Sequence, residues 1–414
     1  MRKEILAQIH DPGQLEKLYR SNKVPFKREF SSLYPELKGN VLADFWNERL
    51  TYESDEINWG TGRELLLVIS AILLAGFIAK IPGMFQLDED FFYPRNIGFI
   101  FLPLLTAYFA WKNRLPLRQI GVIFSVMLVG LVYINLLPAS ATSDTLLLAC
   151  IHLPLLLWVL LGTAFTGTNL HDPDKRLDYL KYNGDLIVMT TLILIAGGIM
   201  TGLTIALFSL IGFQIEEFYF NNVAVFGLAG APIVGTYLTQ TNPQLVSKVS
   251  PVIAKIFSPL VLVMLVIYLV AIIYSGKDPY NDREFLIIFN LLLIGVMAII
   301  FFSVAEGAKT VRNTTASWVL FLLAAVTIVV NGIALSAIVF RIAEWGITPN
   351  RLAVLGSNLL MLLNLLFITA LLFKAITRKS DIAAVGRSIA TFLPVYSIWA
   401  LIVIFLFPLL FNFQ

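Results

Sequence analysis

Eleven apolar segments of membrane-crossing length follow one another along this chain, and they leave it little freedom of fold. They lie at 64–86, 97–111, 120–138, 145–167, 185–213, 222–240, 251–275, 284–304, 315–340, 352–376 and 389–411. A run of roughly 20 apolar residues crosses ~30 Å of hydrocarbon as a helix. The second run is the shortest, interrupted by Pro103 and closed by Trp111 and Lys112. Backbone groups in lipid must pair within the protein, so the spans are helices or the strands of a closed barrel, and continuous runs lack the alternation that a barrel strand needs. Composition agrees: with 58% apolar and 14% charged residues, too few polar side chains exist to cover a water-facing surface. The expectation is an all-α, polytopic transmembrane helical bundle of about 11 spans.

Charge orients that bundle. With the N-terminus placed in the cytoplasm, 24 basic residues fall on the cytoplasmic side and five (Arg95, Lys277, Arg283, Arg341, Arg351) on the other, with Lys80 at a helix end. This is the positive-inside signature, and an error of one helix would scramble it. The reading is N-terminus in and C-terminus out, in a bacterial inner (cytoplasmic) membrane. The acidic outer side either favours cations or is the mild asymmetry usual in such proteins. The single cysteine, Cys150, lies within a span, so no intrachain disulfide is expected. The polar opening, Met1 to Asp11, is no signal peptide, and the whole chain is expected in the mature protein.

Two parts are expected: a cytoplasmic amphipathic helical segment at 1–63 and the bundle at 64–414. In the first, Leu15, Leu18 and Tyr19 form a stripe after Asp11, Pro12 and Gly13. Phe26, Phe30, Leu33 and Tyr34 form a second stripe, and Leu37, Val41, Phe45 and Trp46 a third. Its ten basic and ten acidic residues cancel, which argues against nucleic acid and against a polybasic lipid clamp. It docks on the cytoplasmic face of the bundle or on a partner protein.

Polar residues inside the spans are the candidates for chemistry, because a partnerless donor or acceptor in lipid is costly. Counted at ~1.5 Å per residue from the outer helix ends, His152 lies roughly 12 Å deep, Asn290 about 9 Å, Asn331 about 13 Å and Asn358 about 9 Å. Four helices thus place a polar side chain in one layer. Converging, they line an outer-facing cavity in which His152 titrates; otherwise they are hydrogen-bonding contacts that hold helices together. No span shows an interior Asp, Glu or Arg, which disfavours carboxylate-driven ion coupling. Gly197, Gly198 and Gly202 on the fifth run, and Gly227, Gly230, Pro232 and Gly235 on the short sixth, mark close helix packing or a broken helix. Enzyme and cofactor signatures are missing: His152 and His171 are too far apart for HExxH, and there is no cysteine cluster or phosphate loop. The run His171, Asp172, Pro173, Asp174 is more simply a helix start than a metal site.

The ninth and tenth spans are joined by a stretch from Arg341 to Arg351 that contains Glu344, Trp345, Gly346, Ile347, Thr348 and Pro349. It has the marks of a tight helical hairpin: Gly346 ends one helix, Thr348 caps the next and Pro349 enters its first turn. Arg341 and Glu344 are spaced to pair on one helical face. This hairpin and the many-helix architecture resemble the bacterial membrane proteins grouped as domain of unknown function 4153. In that group a comparable aromatic, Gly, apolar, Thr and Arg run joins late spans. Trp345 stands where that pattern has Tyr, and the long polar N-terminal segment resembles members from Bacteroidota. The resemblance implies fold and location but no activity. Arg341, Glu344 and Arg351 are either parts of a well-made turn or ligands at the membrane surface.

With no soluble domain outside the bundle, the leading expectation is transport or permeation of a small solute or lipid through a cavity between helices. The candidate residues are His152, Asn290, Asn331, Asn358, Arg341, Glu344 and Arg351. The alternative is a scaffold or sensor subunit that binds a cytoplasmic partner through residues 1–63. A lipid-modifying enzyme built on His152 lacks a second titratable group within reach. Expected partners are membrane lipids, a small-molecule substrate and a cytoplasmic or membrane protein, with no nucleic acid and no cofactor.

Overall fold

A computed structural model describes residues 2–21, 23–51, 59–138, 143–210, 214–247, 249–275, 280, 283–307, 314–377 and 381–413. Among these residues every regular element is helical and no strand occurs. Lys248, Lys277, Lys309, Arg312, Arg378 and Lys379, which enter the charge count, lie outside the described residues, as does the end of the fifth run at 211–213. The chain forms two compact units, Met1–Asn58 and Trp59–Gln414.

The first unit is built from α1 (Arg2–Ala7), α2 (Pro12–Ser21), α3 (Lys23–Leu37) and α4 (Val41–Thr51). Asp11 starts α2 by accepting from the backbone N–H groups of Gly13 (2.9 Å) and Gln14 (3.1 Å), as its turn signal implies. Ile5, Leu15, Phe26, Phe30, Leu33 and Trp46 seal a core of their own. The expected third stripe is corrected. Ala43, Trp46 and Leu50 face inward, while Val41 and Phe45 are exposed at 86% and 59%. Spacings of three and four keep residues 43, 46 and 50 on one helical face, and residues 41 and 45 fall on another. Glu16 bridges Arg20 (2.7 Å) and Arg49 (2.9 Å), and the hydrogen bond from Arg20 is the chief reason its carboxyl is held below the usual carboxylate range.

In the second unit each apolar run lies on a helix. They are α5 (Gly62–Phe85), α6 (Glu89–Lys112), α7 (Leu117–Leu136), α8 (Asp144–Thr166) and the long α9 (Pro173–Leu210). A short α10 (Glu216–Tyr219) leads through a π-helical turn, Phe220–Ala224, into α11 (Val225–Thr241), followed by α12 (Gln244–Ser247). Then come α13 (Val249–Ser275), α14 (Arg283–Gly307), α15 (Thr314–Trp345) and α16 (Pro349–Ile376). Last, α17 (Ile382–Leu401) runs through a second π turn, Ile402–Leu406, into α18 (Phe407–Leu410). Among the described residues nine stretches are long and apolar enough to cross a membrane. The two runs outside those nine lie on α6 and α13. This is a polytopic, multi-pass membrane protein.

The bundle has two main cores. One is packed by α5–α8, α11 and the turn after α17, with Ala75, Leu105, Phe109, Leu153 and Ile404 at its centre. The other is packed by α13–α17 around Phe289, Ile300, Leu323, Leu365 and Ile389. The start of α9 joins them: Tyr179 and Tyr182 belong to the first core, Leu177 and Leu180 to the second. Lipid offers no hydrophobic force between helices, so small residues that permit close approach matter. On α11 a Cβ at Gly230 would stand 2.8 Å from Ile72, and one at Gly235 2.8 Å from Thr190. The expectation fails at Gly227 of α11 and on α9, where Gly197, Gly198 and Gly202 likewise have nothing within 4 Å of such a Cβ. That half of α9 faces outward, so its glycines pack no neighbouring helix among the described residues.

Candidate functional site

Three of the four residues expected to share a polar layer converge. Asn290 on α14, Asn331 on α15 and Asn358 on α16 form a chain: the Asn331 side-chain amide donates to the Asn358 carbonyl (3.2 Å), and the Asn358 amide donates to Asn290 Oδ1 (2.8 Å). Helix geometry places them there. The three helices pack in one core, and each Asn interrupts an otherwise apolar run. Asn331 and Asn358 are completely enclosed, at 0% and 1% exposure. Their Oδ1 atoms accept no hydrogen bond, although such an oxygen offers two lone pairs. Each is therefore a free acceptor in the interior of the membrane unit, where leaving one unmade costs about 1–3 kcal/mol.

His152 stands apart from this group. Its Nδ1 lies 2.9 Å from the Leu148 carbonyl one turn back on α8. A carbonyl only accepts, so Nδ1 carries the proton. Among the described residues no hydrogen bond joins His152 to the three asparagines. The single-layer expectation is corrected here: α8 packs against α16 through Leu148 and Ala353, but the His152 ring bonds back to its own helix.

Asn364 extends the polar system. It is fully buried on α16, donates to the Tyr396 hydroxyl of α17 (3.1 Å), and likewise keeps Oδ1 free. Trp399 Nε1 donates to Ser357 Oγ (3.0 Å), and Ser258 and Ser303 meet at 2.8 Å between α13 and α14. Asn364 carries the same sequence signal as the other three, an amide inside an apolar run, and depth counting alone passed it over.

At the hairpin, Gly346 takes φ +77°, the Thr348 hydroxyl accepts from the Arg351 backbone N–H (3.3 Å), and Pro349 opens α16. Arg351 Nη1 donates to the carbonyls of Trp345 (2.8 Å) and Gly346 (2.7 Å), satisfying the orphan acceptors at the end of α15. Arg341 Nε donates to the Tyr280 carbonyl (2.8 Å). Both guanidiniums sit over Trp345, at 5.5 Å and 5.6 Å from its centre. Glu344 is exposed, and no ion pair joins it to Arg341 among the described residues. The two arginines are engaged in building the turn. In the same way Asp172 caps α9 by accepting from the Asp174 N–H (2.9 Å).

Charged residues inside helices were missed. Glu64, Arg95 and Glu306 are buried, at 9%, 5% and 5% exposure, although they stand at or just beyond the ends of the apolar runs rather than in their interiors. The helices outrun their apolar stretches: α6 begins at Glu89, eight residues before its run, and α14 ends at Gly307, beyond its own. Flanking charges thereby become helical and packed. Glu64 Oε1 accepts from the Tyr108 hydroxyl (2.7 Å), Lys112 Nζ donates to that hydroxyl (3.2 Å), and Lys112 lies 3.8 Å from Glu64. Glu306 faces Lys181 at 3.4 Å. Among the described residues no cluster of three or more His, Cys, Asp or Glu is arranged to hold a metal ion.

No protein-family model matches the chain, and no curated protein and no solved structure does so either.

Proposed function

We propose that the membrane unit moves or admits a small, neutral, polar solute through the region of Asn290, Asn331 and Asn358. The observation that carries this reading is the pair of enclosed amide oxygens, on Asn331 and Asn358, that accept nothing. A packing contact is complete when its donors and acceptors are paired. Here two acceptors are left over on the neighbouring helices α15 and α16, and a hydroxyl or amide of a passing solute supplies the donors they lack. The cluster is uncharged, which favours neutral solutes over ions. The bacterial inner membrane and membership of the domain of unknown function 4153 group belong to this same proposal, supported by the positive-inside count and by the Trp345 to Arg351 turn.

Osmotic swelling of vesicles containing the purified protein, challenged in turn with glycerol, urea and neutral amino acids, tests it. The expected result is faster swelling than in empty vesicles for at least one solute, lost in Asn358→Leu. Swelling equal to empty vesicles for every solute, or unchanged in Asn358→Leu and Asn331→Leu, removes these residues from any transport role.

A second reading, a scaffold or sensor with a cytoplasmic partner, is favoured by one observation: residues Met1–Asn58 form a unit with its own sealed core. Val41 and Phe45 stand exposed on its surface. It predicts that Phe45→Asp abolishes a co-purifying complex while the membrane unit stays folded. Retention of every partner by that variant defeats it.

A further inference from the structure

Between α5, α6 and α7 lies a cavity of about 500 Å³ whose walls include Ile78, Phe92, Phe99, Met127 and Leu131. Its one polar lining residue is Asn96, and it reaches the lipid-facing surface at Leu128, which is 59% exposed. Volume and lining suit an apolar ligand held by few polar groups. Along α6 the wall runs from Phe92 to Pro103, about 16 Å at 1.5 Å per residue, an elongated shape that matches an alkyl chain.

Beside this wall, next to the lining residue Asn96 but not itself in the lining, stands a cation that no carboxylate faces among the described residues. Arg95, the neighbour of Asn96, is 5% exposed. Its Nε donates to the Ile134 carbonyl (3.3 Å), its Nη1 to the Phe91 carbonyl (3.2 Å), and its guanidinium covers the Phe91 ring at 4.1 Å. Nη2 is enclosed and donates to nothing, and no carboxylate pairs with Arg95 among the described residues. Asn96 and Asn135 exchange two amide hydrogen bonds (3.0 and 2.9 Å). Arg95 and Asn96 therefore reach consecutive residues of α7, Ile134 and Asn135, and clamp α6 to α7 at the polar end of the cavity. The hydroxyl of Tyr133, the preceding residue on α7, is likewise enclosed and unpaired. An arginine stays ionised in proteins, and an uncompensated ion within a membrane span is costly enough to demand an anion. Arg95 lies about 9 Å along α6 from its first residue, the depth of a headgroup boundary rather than of the bilayer centre.

We propose that this cavity holds one acyl chain of an anionic membrane phospholipid, whose phosphate pairs with Arg95. A bilayer lipid is the occupant, rather than a soluble fatty acid, because the cavity opens on the surface that lipids already cover. The guanidinium fork fits phosphate oxygens, and a flexible chain fills the apolar wall. This site lies in the other half of the bundle from the asparagines and stands or falls independently of the solute reading.

The full-length protein in mild detergent, exchanged against phosphatidylglycerol, phosphatidylcholine or oleate and analysed by native mass spectrometry, tests the proposal. Phosphatidylglycerol is expected to stay bound at one per chain, at least about tenfold better than phosphatidylcholine. Arg95→Gln is expected to erase that preference, Arg95→Lys to keep part of it, and Leu131→Trp, which fills the cavity, to remove the bound lipid. A diazirine placed on the acyl chain is expected to crosslink wild-type protein within α5–α7, a result that does not depend on any variant folding. Equal retention of the two phospholipids, tighter retention of oleate, or crosslinks only elsewhere overturns the proposal.

Discussion

The two halves of the bundle bury acidic and basic side chains toward their helix ends, Glu64 and Arg95 in the half built on α5–α8 and α11 and Glu306 and Arg341 in the half built on α13–α17, whereas the neutral amides Asn331, Asn358 and Asn364 of the second half lie within its apolar runs. Glu306 shows that the division follows position along a helix rather than the half of the bundle: it is on α14, in the second half, yet sits at its helix end, facing Lys181. The contrast teaches where each kind of polar group survives in a membrane. A charge persists where a phenol, a counter-charge or a helix-end carbonyl is within reach, as Tyr108 and Lys112 are for Glu64. An amide needs less: one donated bond to the next helix holds it at any depth. Amides are therefore the groups that remain available for a solute in the middle of the bundle.

The largest effect is expected where neither half has room. A Cβ at Gly76 would meet Phe226 at 2.0 Å in one half, and at Gly356 would meet Trp399 at 2.0 Å in the other. Gly76→Leu and Gly356→Leu are each expected to destabilise by about 3 kcal/mol or more, through overpacking. Gly197→Leu, with nothing nearby, should change stability by less than about 0.5 kcal/mol. Thermal unfolding of the purified protein measures all three, and equal loss in Gly197→Leu would blur the distinction between packed and outward-facing glycines. Next, Glu64→Leu strands the Tyr108 hydroxyl and Lys112 and should cost about 2 kcal/mol. Asn358→Leu removes one interhelical bond from the other half and should cost only about 1 kcal/mol. A reversal of that order would break the comparison drawn above.

Two kinds of signal explain what the sequence discloses. Every apolar run recurs as a helix, and Asn290, Asn331 and Asn358 meet, because an amide inside an apolar run must find a partner on another helix. The hairpin at Gly346, Thr348 and Pro349 is legible because each residue type has a backbone reason to be there. Glu64, Arg95 and Glu306 are illegible because hydropathy marks where apolar residues stop, whereas the helices continue for one or more turns. His152 is misplaced because depth along a helix does not say where the side chain finds its partner, and His152 finds it one turn back on its own helix. The outward-facing glycines of α9 fail for a related reason: composition records small residues but not what they face.

The smallest expected effect lies in the first unit and shows how the medium sets the cost of charge. Glu16 is held below its ordinary value of 4.5 by Arg20 and Arg49. A depressed carboxyl adds stability that is present above its unfolded value and is lost as pH falls through the lower folded value. Limited proteolysis of the full chain should thus show residues 1–51 becoming more cleavable only below about pH 4. Glu16→Gln should flatten that dependence by a few tenths of a kcal/mol, the usual size for an exposed ion pair.

The most direct test of the central claim, that the amide cluster is reached by polar solutes, is thiol labelling. Cys150 is the only cysteine in the chain, so Cys150→Ala gives a clean background for Asn358→Cys, Asn331→Cys and, as a control in the same core, Leu365→Cys. The account predicts that a small hydrophilic thiosulfonate modifies positions 358 and 331 in sealed vesicles and spares 365. Modification of none of the three, with all of them reacting after detergent denaturation, would show the asparagines to be packing contacts alone and would contradict it.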